Sequence, residues 1–347
     1  MKVAYARSKA SEWVIQIASR EPEYMGAYYS GSTIRMTDDM EMPAASDIDI
    51  VIVTKHDVPP LKLGKFIYRG VLIEVTYLSW GQLATVEDVL ASYHLAGSFQ
   101  VDTIIADPTG HLRSLYSQVS SHFKEMEWVR RRCENARERI ENGLHAIDSS
   151  APFHDQVTAW LFPASVTTHV LLVAALRNPT VRLRYLAVRE VLIKYKQTNL
   201  YEELLELVGC SKLSPQLVEH HLNELARTFD AAAAISKTLF FFSTDITAAA
   251  RPIAIDGSRE LIRAGFHREA VFWIIATFAR SHKILAADAP IEVQNAYIPA
   301  FKAAVADLGI SSSSDLTRRA RDVIEFLPRL WSATEEILQA NPEIVIK

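Results

Sequence analysis

The spacing of hydrophobic residues changes near residue 115 of this 347-residue chain. Before that point, short apolar runs alternate with helical segments. After about Tyr116, apolar residues recur at intervals of three and four, the period of a helix with one buried face. The pattern therefore predicts an α+β fold, with a small mixed-sheet domain over residues 1–115 and an all-helical domain over residues 116–347.

In the first domain, the pattern predicts strands over Met25–Ser30, Asp47–Thr54 and Val101–Ala106. Two further runs, Phe66–Tyr68 and Val71–Leu78, are separated only by Arg69-Gly70. A separation of two residues predicts a tight β-hairpin. Helical spacing is found over Ser11–Arg20 and Val86–Phe99.

In the second domain, the same analysis predicts only helices and one long irregular segment, Ser243–Gly257. The predicted helices are His122–Ile147, Val157–Arg177, Val181–Tyr195, Leu200–Val208, Pro215–Phe229, Leu261–Lys283, Ile291–Leu308 and Leu316–Leu338. The most apolar window, Trp160–Leu176, contains Pro163 and His169 and falls short of the roughly 20 apolar residues of a membrane span. A buried helix is the better interpretation, and no membrane association is expected.

Composition narrows the possible functions. The chain has 37 basic and 41 acidic residues, so it lacks a general electrostatic attraction to nucleic-acid backbones or anionic lipids. It has only 12 glycines and neither the Rossmann nor the Walker phosphate-binding motif. The two cysteines, Cys133 and Cys210, suggest neither a disulfide framework nor a zinc site. A cytoplasmic protein that does not bind nucleic acid is expected.

Two aspartates open the strand predicted over Asp47–Thr54. Because side chains alternate along a strand, Asp47 and Asp49 project to one face, while Ile48 projects to the other. Adjacent carboxylates repel each other unless a cation neutralises them, and hard oxygen ligands suit Mg²⁺ or Mn²⁺. We therefore predict a divalent metal site. The alternative is a polar loop end with Asp49 solvated at a sheet edge.

Glu74 interrupts the apolar strand Val71–Leu78 and can reach the same face as the two aspartates. It is the predicted third carboxylate of the site. The alternative is a solvated residue on an edge strand, since Thr76 lies on the same face as Glu74.

The dipeptide Gly31-Ser32 ends the first strand and opens a predicted helical turn. Free backbone N–H groups and a serine hydroxyl at such a turn can bind phosphate oxygens, and glycine permits their close approach. This part of the chain is a candidate phosphate site.

In this order, Gly-Ser, then Asp-x-Asp on a strand, then a later strand with glutamate, the segment Tyr24–Leu112 resembles the nucleotidyltransferases of the DNA polymerase β superfamily. The small domain followed by helices is similar to the arrangement in antibiotic (aminoglycoside-type) adenylyltransferases. The segment covers about a quarter of the chain. Its loop between Ser32 and Ser46 is longer than in compact members of the family and carries three acidic residues, which could reshape the nucleotide entrance: Asp38, Asp39 and Glu41.

The resemblance implies transfer of a nucleoside monophosphate, with ATP as the expected donor, to a hydroxyl of a small-molecule acceptor, releasing pyrophosphate. It implies that Asp47 and Asp49 hold Mg²⁺ or Mn²⁺ and that Glu74 either completes the metal shell or accepts the hydroxyl proton. The implied nucleotide-binding residues are Gly31, Ser32, Arg35 and Ser46.

The acceptor is expected where the two domains meet, because domain junctions commonly form small-molecule sites. Arg259, Arg263 and His267 recur every four residues and are predicted to share one helix face, with Ser258 as the N-cap. The candidate acceptor or phosphate contacts are Asp256, Arg259, Arg263 and His267, within a wider set that includes Asp245, Arg251 and Glu269. The alternative is an ordinary solvated helix face.

Two other functions stay open. One is nucleotidyl transfer to a protein or an RNA end, for which the mildly acidic charge disfavours RNA. The other is a non-catalytic nucleotide-sensing or regulatory module, in which the acidic loop from Asp38 to Glu41 closes an inactive site. The sequence contains no indication of the acceptor, the donor base or the oligomeric state.

Overall fold

The computed structural model describes residues 1–346 and divides the chain into two compact units. Unit 1 contains Met1–Arg132, Phe240–Asp245 and the described residues from Ile344 onward. Unit 2 contains Cys133–Leu239 and Ile246–Glu343. The predicted α+β class is confirmed, because a five-stranded mixed sheet near the N-terminus is followed by helices.

The sheet of unit 1 has the strand order β3-β4-β2-β1-β5. Its strands are β1 (Tyr24–Ser30), β2 (Ile48–Thr54), β3 (Gly64–Tyr68), β4 (Val71–Ser79) and β5 (Ile104–Ala106). Strands β2 and β4 are parallel, and the other neighbouring pairs are antiparallel. Every strand that the sequence predicts is present, and the hairpin turns at Arg69 and Gly70, both of which have positive φ.

One face of the sheet is buried under the first helix, α1 (Val3–Gln16). The isoleucines of β2 are at most 1% exposed and pack in one cluster with Ala10 and Trp13 of α1. The helix begins earlier than the predicted Ser11 because Val3 and Ala6 extend its buried stripe. The opposite face of β2 carries Asp49 at its start, followed by Val51 and Val53.

The remaining helices of unit 1 are short. Helix α2 (Val86–Ala91) ends before the predicted Phe99, and residues 96–99 form a 3-10 turn. Helix α3 (His111–His122) spans the predicted domain division between residues 115 and 116 and buries Leu112 and Leu115. The predicted boundary between a domain of residues 1–115 and a domain of residues 116–347 stays a prediction.

Unit 2 is helical throughout its described residues. After α4 (Met126–His145), which spans the division between the units, its helices are α5 (Phe153–Ala174), α6 (Arg184–Lys194), α7 (Thr198–Leu207), α8 (Pro215–Ile235), α9 (Gly257–Arg263), α10 (His267–Asp288), α11 (Ile291–Ala306) and α12 (Ser313–Ala340). Helices α5 and α10 are long and apolar enough to span a membrane, but 78% of each apolar window is buried inside the structure. They are core helices of unit 2.

Two predictions for the part of the chain after α8 are corrected. The segment predicted as irregular over Ser243–Gly257 contains a 3-10 turn and a π-helix, Pro252–Asp256, that leads into α9. The single helix predicted over Leu261–Lys283 is two helices. The backbone N–H of Phe266 returns to the carbonyl of Leu261, and Gly265 takes a left-handed φ of 85°, which ends α9 in a typical C-terminal cap.

Candidate functional site

The three carboxylates predicted as metal ligands converge on the polar face of the sheet. In the parallel pairing of β2 with β4, Asp49 lies directly beside Glu74, and Asp47 precedes β2 on the same face as Asp49. One oxygen from each of the three carboxylates lies within 4.8 Å of the others. Asp49 is not at a sheet edge, because β2 lies between β4 and β1. This donor set fits a divalent cation.

The Gly31-Ser32 bend lies against this cluster. Ser30 pairs with Asp49 across β1 and β2, and Gly31 follows with a left-handed φ of 71°. A Cβ atom at residue 31 would lie 1.7 Å from Oδ2 of Asp49, so only glycine permits this approach. Ser32 is exposed and opens a 3-10 turn, Ser32–Arg35, whose Thr33 and Ile34 are buried.

The other two predicted nucleotide-binding residues lie in the same part of unit 1. Ser46 is half-buried immediately before Asp47. Arg35 is exposed at the end of the 3-10 turn, and its guanidinium donates to Oε1 of Gln100 at 2.5 Å.

Two lysines that the sequence analysis did not single out reach into the carboxylate cluster. Lys65 lies on β3 directly opposite Glu74, and its Nζ contacts Glu74 and lies 3.1 Å from Oδ2 of Asp47. Lys62 donates from Nζ to Oε1 of Glu74 at 2.5 Å. Both oxygens of Glu74 are therefore bound by ammonium groups, and Glu74 is not the solvated residue of the alternative interpretation.

A fourth carboxylate, Asp245, joins the cluster from a distant part of the chain. Its Oδ1 lies 3.1 Å from Nζ of Lys65, and its Oδ2 lies 3.7 Å from Nζ of Lys62. The sequence analysis placed Asp245 among acceptor-lining residues of the helical domain. The structure places it in unit 1, with the segment Phe240–Asp245.

The charges of the cluster perturb one another. Burial raises the pKa of Asp49 well above its usual value, and the carboxylates of Asp47 and Glu74 raise it further. Burial also raises the pKa of Asp47, although Lys65 opposes this effect. Burial alone would raise the pKa of Glu74, but Lys65 and Lys62 outweigh it and lower that pKa to about 2. The site thus accumulates more negative charge than its two lysines neutralise.

The acidic loop of residues 38–41 is bound to α1. Arg7 donates from Nη1 to Oδ1 of Asp38 at 2.9 Å, and the N-terminal ammonium of Met1 donates to Oε2 of Glu41 at 2.6 Å. Lys2 contacts Glu41 at 3.3 Å. These partners neutralise two of the three acidic side chains of the loop outside the carboxylate cluster.

The candidate acceptor residues lie on unit 2 and do not form the predicted stripe. Arg259 and Arg263 belong to α9, whereas His267 begins α10 after the chain has turned. Ser258 is not an N-cap, because it is buried inside a continuous helical segment and its hydroxyl donates to the carbonyl of Ala254 at 2.8 Å.

These residues have local partners within unit 2. Arg259 donates to Oδ1 of Asn223 at 3.0 Å and lies 3.7 Å from Asp256. Nε2 of His267 donates to the carbonyl of Leu213 at 3.0 Å, and Arg263 is exposed. Such contacts are those of a structural helix surface, and the acceptor role of these residues remains a prediction.

Part of what the sequence analysis missed was encoded locally. The two-residue turn at Arg69-Gly70 fixes the register of the hairpin, and that register places Lys65 opposite Glu74. Extending the hairpin pairing back from the turn would have identified Lys65. No local pattern connects Asp245 to the sheet.

Comparisons with known proteins add little to this description. No family model matches the sequence, and no curated protein matches it. Among solved structures, the chain is similar to a nucleotidyltransferase-like protein from Exiguobacterium sibiricum, with 14% identity, coverage of 74% of this chain and 92% of that chain, and a TM-score of 0.26. The functional interpretation therefore depends on the residues of this chain.

Proposed function

We propose that this protein is a metal-dependent nucleotidyltransferase that transfers a nucleoside monophosphate, AMP from ATP, to a hydroxyl of a small-molecule acceptor. One observation carries the proposal: the Gly31-Ser32 bend packs directly on Asp49, beside Asp47 and Glu74. A phosphate-binding bend next to clustered carboxylates is the combination that the resemblance to the polymerase β superfamily implies. The pairing of Ser30 with Asp49 brings the bend to the end of β2 that carries the carboxylates.

In the proposed reaction, the acceptor hydroxyl attacks the α-phosphorus of the triphosphate. A bond forms between the hydroxyl oxygen and phosphorus, the bond from phosphorus to the bridging oxygen breaks, and pyrophosphate leaves. The backbone N–H groups and hydroxyl at Gly31 and Ser32 would hold the leaving phosphates, with Arg35 and Ser46 beside them. Mg²⁺ or Mn²⁺ held by Asp47, Asp49 and Glu74 would supply positive charge to the phosphoryl oxygens.

The two lysines beside Glu74 argue against a role of Glu74 as proton acceptor. A carboxylate whose pKa is about 2 is a weak base, because its charged form is already strongly stabilised. The proton of the acceptor hydroxyl would then leave through another group or through water. The cytoplasmic location is part of this proposal, and the two buried free cysteines fit a reducing compartment.

The test measures pyrophosphate released from each nucleoside triphosphate with Mg²⁺ or Mn²⁺, together with a mass search for nucleotidylated products in a library of hydroxylated small molecules. We expect release to require the metal and to rise with one class of acceptor. Asp49→Asn should reduce turnover at least about 100-fold, in line with the loss of an essential electrostatic group. Asp57→Asn, in an exposed loop after β2, is the matched control.

The folded state of the Asp49→Asn protein should be intact. Burial and two neighbouring carboxylates disfavour the charge of Asp49, so removing that charge should leave the unfolding midpoint in urea unchanged or raise it. Nucleotide and metal binding without pyrophosphate release, with every acceptor class tried, would instead indicate the sensing module. Equal turnover of Asp49→Asn and wild type would refute the proposal.

A further inference from the structure

Glu74 and Asp245 share the same two lysines. Lys62 lies 2.5 Å from Oε1 of Glu74 and 3.7 Å from Oδ2 of Asp245. Lys65 contacts Glu74 and lies 3.1 Å from Oδ1 of Asp245. The four side chains form a closed ring in which each carboxylate faces both ammonium groups.

This ring conflicts with metal binding as it stands. Both oxygens of Glu74 are engaged by ammonium groups, and Lys65 also contacts Asp47, a second proposed ligand. A divalent cation at Glu74 would lie beside these ammonium groups and repel them. Metal binding at Glu74 is therefore favoured when at least one lysine moves away from it.

Asp245 is placed to receive the displaced ammonium groups. Its side chain is 8% exposed, and its backbone N–H donates to the carbonyl of Phe242 at 2.8 Å, in a 3-10 turn. The preceding Thr244 packs so tightly on β3 that a Cβ at Gly64 would lie 1.8 Å from its Oγ1. Asp245 is held by its backbone, whereas lysine side chains have four rotatable carbon bonds and can shift.

We propose that Asp245 is a positioning residue that takes over Lys62 and Lys65 from Glu74 when a divalent cation enters the carboxylate cluster. This inference rests on the proposed function in one respect, that the cluster binds a metal. Asp245 is not itself a metal ligand in this proposal. It keeps the two ammonium groups near the site while leaving the oxygens of Glu74 available.

A simpler explanation would also link Asp245 to metal affinity. Any carboxylate near the site attracts a cation through space, whatever the lysines do. The two explanations differ when the lysines are absent. Through-space attraction by Asp245 persists without them, whereas the takeover of ammonium groups requires them. A double-mutant cycle separates the two cases.

The experiment measures Mn²⁺ binding to the full chain by electron paramagnetic resonance of free Mn²⁺, without nucleotide and without an activity readout. We expect Asp245→Asn to weaken Mn²⁺ binding at least about tenfold in the wild-type background and less than about threefold in a Lys62→Met, Lys65→Met background. Asp57→Asn is the control for loss of one acidic charge on unit 1. Equal weakening in both backgrounds, or none in the wild type, would overturn the inference.

A second variant and a second measurement guard against misfolding, because the double lysine variant leaves buried carboxylates uncompensated. If circular dichroism shows that it is unfolded, Lys62→Met alone serves as the background, since Lys62 is the more exposed lysine. A crystal structure with Mn²⁺ should show Nζ of Lys65 bonded to Asp245 and no longer to Glu74, and unchanged lysines would refute the takeover. Failure of the wild type to bind Mn²⁺ would overturn the proposed function itself.

Discussion

Gly31 carries the tightest steric constraint among the predicted site residues. Its left-handed φ of 71° costs an L-residue roughly 1 to 2 kcal/mol, and its missing Cβ leaves room for the carboxylate of Asp49. The second effect is specific to the site. The first depends on the backbone alone, and the ψ of Gly31, −155°, lies in a region that only glycine adopts readily.

Gly110→Ala is the comparison variant for Gly31→Ala, because Gly110 also has a positive φ, 76°, but nothing lies within 4 Å of a Cβ built there. The ψ of Gly31, −155°, lies in a region that only glycine adopts readily, whereas Gly110 has the ordinary left-handed helical ψ of −2°. We expect Gly110→Ala to lose about 1 kcal/mol of unfolding free energy and Gly31→Ala to lose a further 1 to 3 kcal/mol or so, because its backbone is more strained and Asp49 must move. Urea denaturation measures both.

Metal binding provides the second measurement for this pair. Displacement of Asp49 should weaken Mn²⁺ binding at least about tenfold in Gly31→Ala, while Gly110→Ala should bind Mn²⁺ as the wild type does. If both variants lost the same stability and bound Mn²⁺ equally, the contact between Gly31 and Asp49 would have no functional consequence.

At the scale of the element, helix α1 holds the loop that follows the Gly31-Ser32 bend. Arg7 donates from Nη2 to the carbonyls of Thr33 and Met36, at 2.5 and 3.0 Å, and from Nη1 to Asp38. One guanidinium thereby ties the 3-10 turn and the start of the acidic loop to the helix. An ion pair of the acidic loop, between Arg7 and Asp38, is part of this contact.

Arg7→Met should release this loop while leaving the carboxylates in place. Hydrogen bonds to a charged group contribute about 1.5 to 3 kcal/mol, so we expect a loss of about 2 kcal/mol of stability and faster amide hydrogen exchange over residues 33–42. Lys9→Met is the control, because the partners of Lys9, Glu12 and the ring of Tyr5, both lie on the same helix. Unchanged exchange over this loop in Arg7→Met would contradict the role of Arg7.

The strands of the sheet could be predicted from the sequence more completely than the side-chain contacts beside them. Alternation of apolar and polar residues identifies β2 and β4, and the turn at Arg69-Gly70 sets the pairing of β3 with β4. These are interactions between near neighbours in sequence. The parallel pairing places Asp49 beside Glu74, although β3 lies between β2 and β4 in the sequence. No local pattern fixes the register of that pairing.

At the scale of the molecule, distant segments account for what the sequence analysis missed. Helical periodicity identifies most of unit 2, but the break between α9 and α10 depends on one capping turn, and it separates residues predicted to share a face. Asp245 follows α8 of unit 2 in sequence yet belongs to unit 1. Periodicity identifies single helices and strands. It contains no information on which segments distant in sequence pack together.

Unit 2 also contains buried histidines whose pKa values are lowered. Burial, with a contribution from His154, lowers the pKa of His282 to about 4, and its ring lies 4.7 Å from that of Phe301. Burial, followed by Arg184, lowers the pKa of His169 well below its usual value. Both rings are held neutral in the folded state.

Acid should therefore destabilise unit 2 before most carboxylates titrate. As pH falls below about 6.5, histidines of the unfolded chain become protonated, whereas His169 and His282 of the folded chain stay neutral to a lower pH. The stability that depends on neutral His282 is complete above that pH and decreases as pH falls towards 4, by about 3 kcal/mol in total. The urea midpoint should thus be lower at pH 5 than at pH 7.5.

The variant His282→Phe removes this titrating group while keeping an aromatic ring beside Phe278 and Phe301. We expect its urea midpoint to change less between pH 7.5 and pH 5 than that of the wild type. The difference in pH dependence should correspond to the uptake of at most one proton on unfolding. His220→Gln, on the exposed face of α8, should retain the wild-type dependence. If His282→Phe retained it as well, the acid sensitivity would arise elsewhere, and His169→Gln would be the next variant to measure.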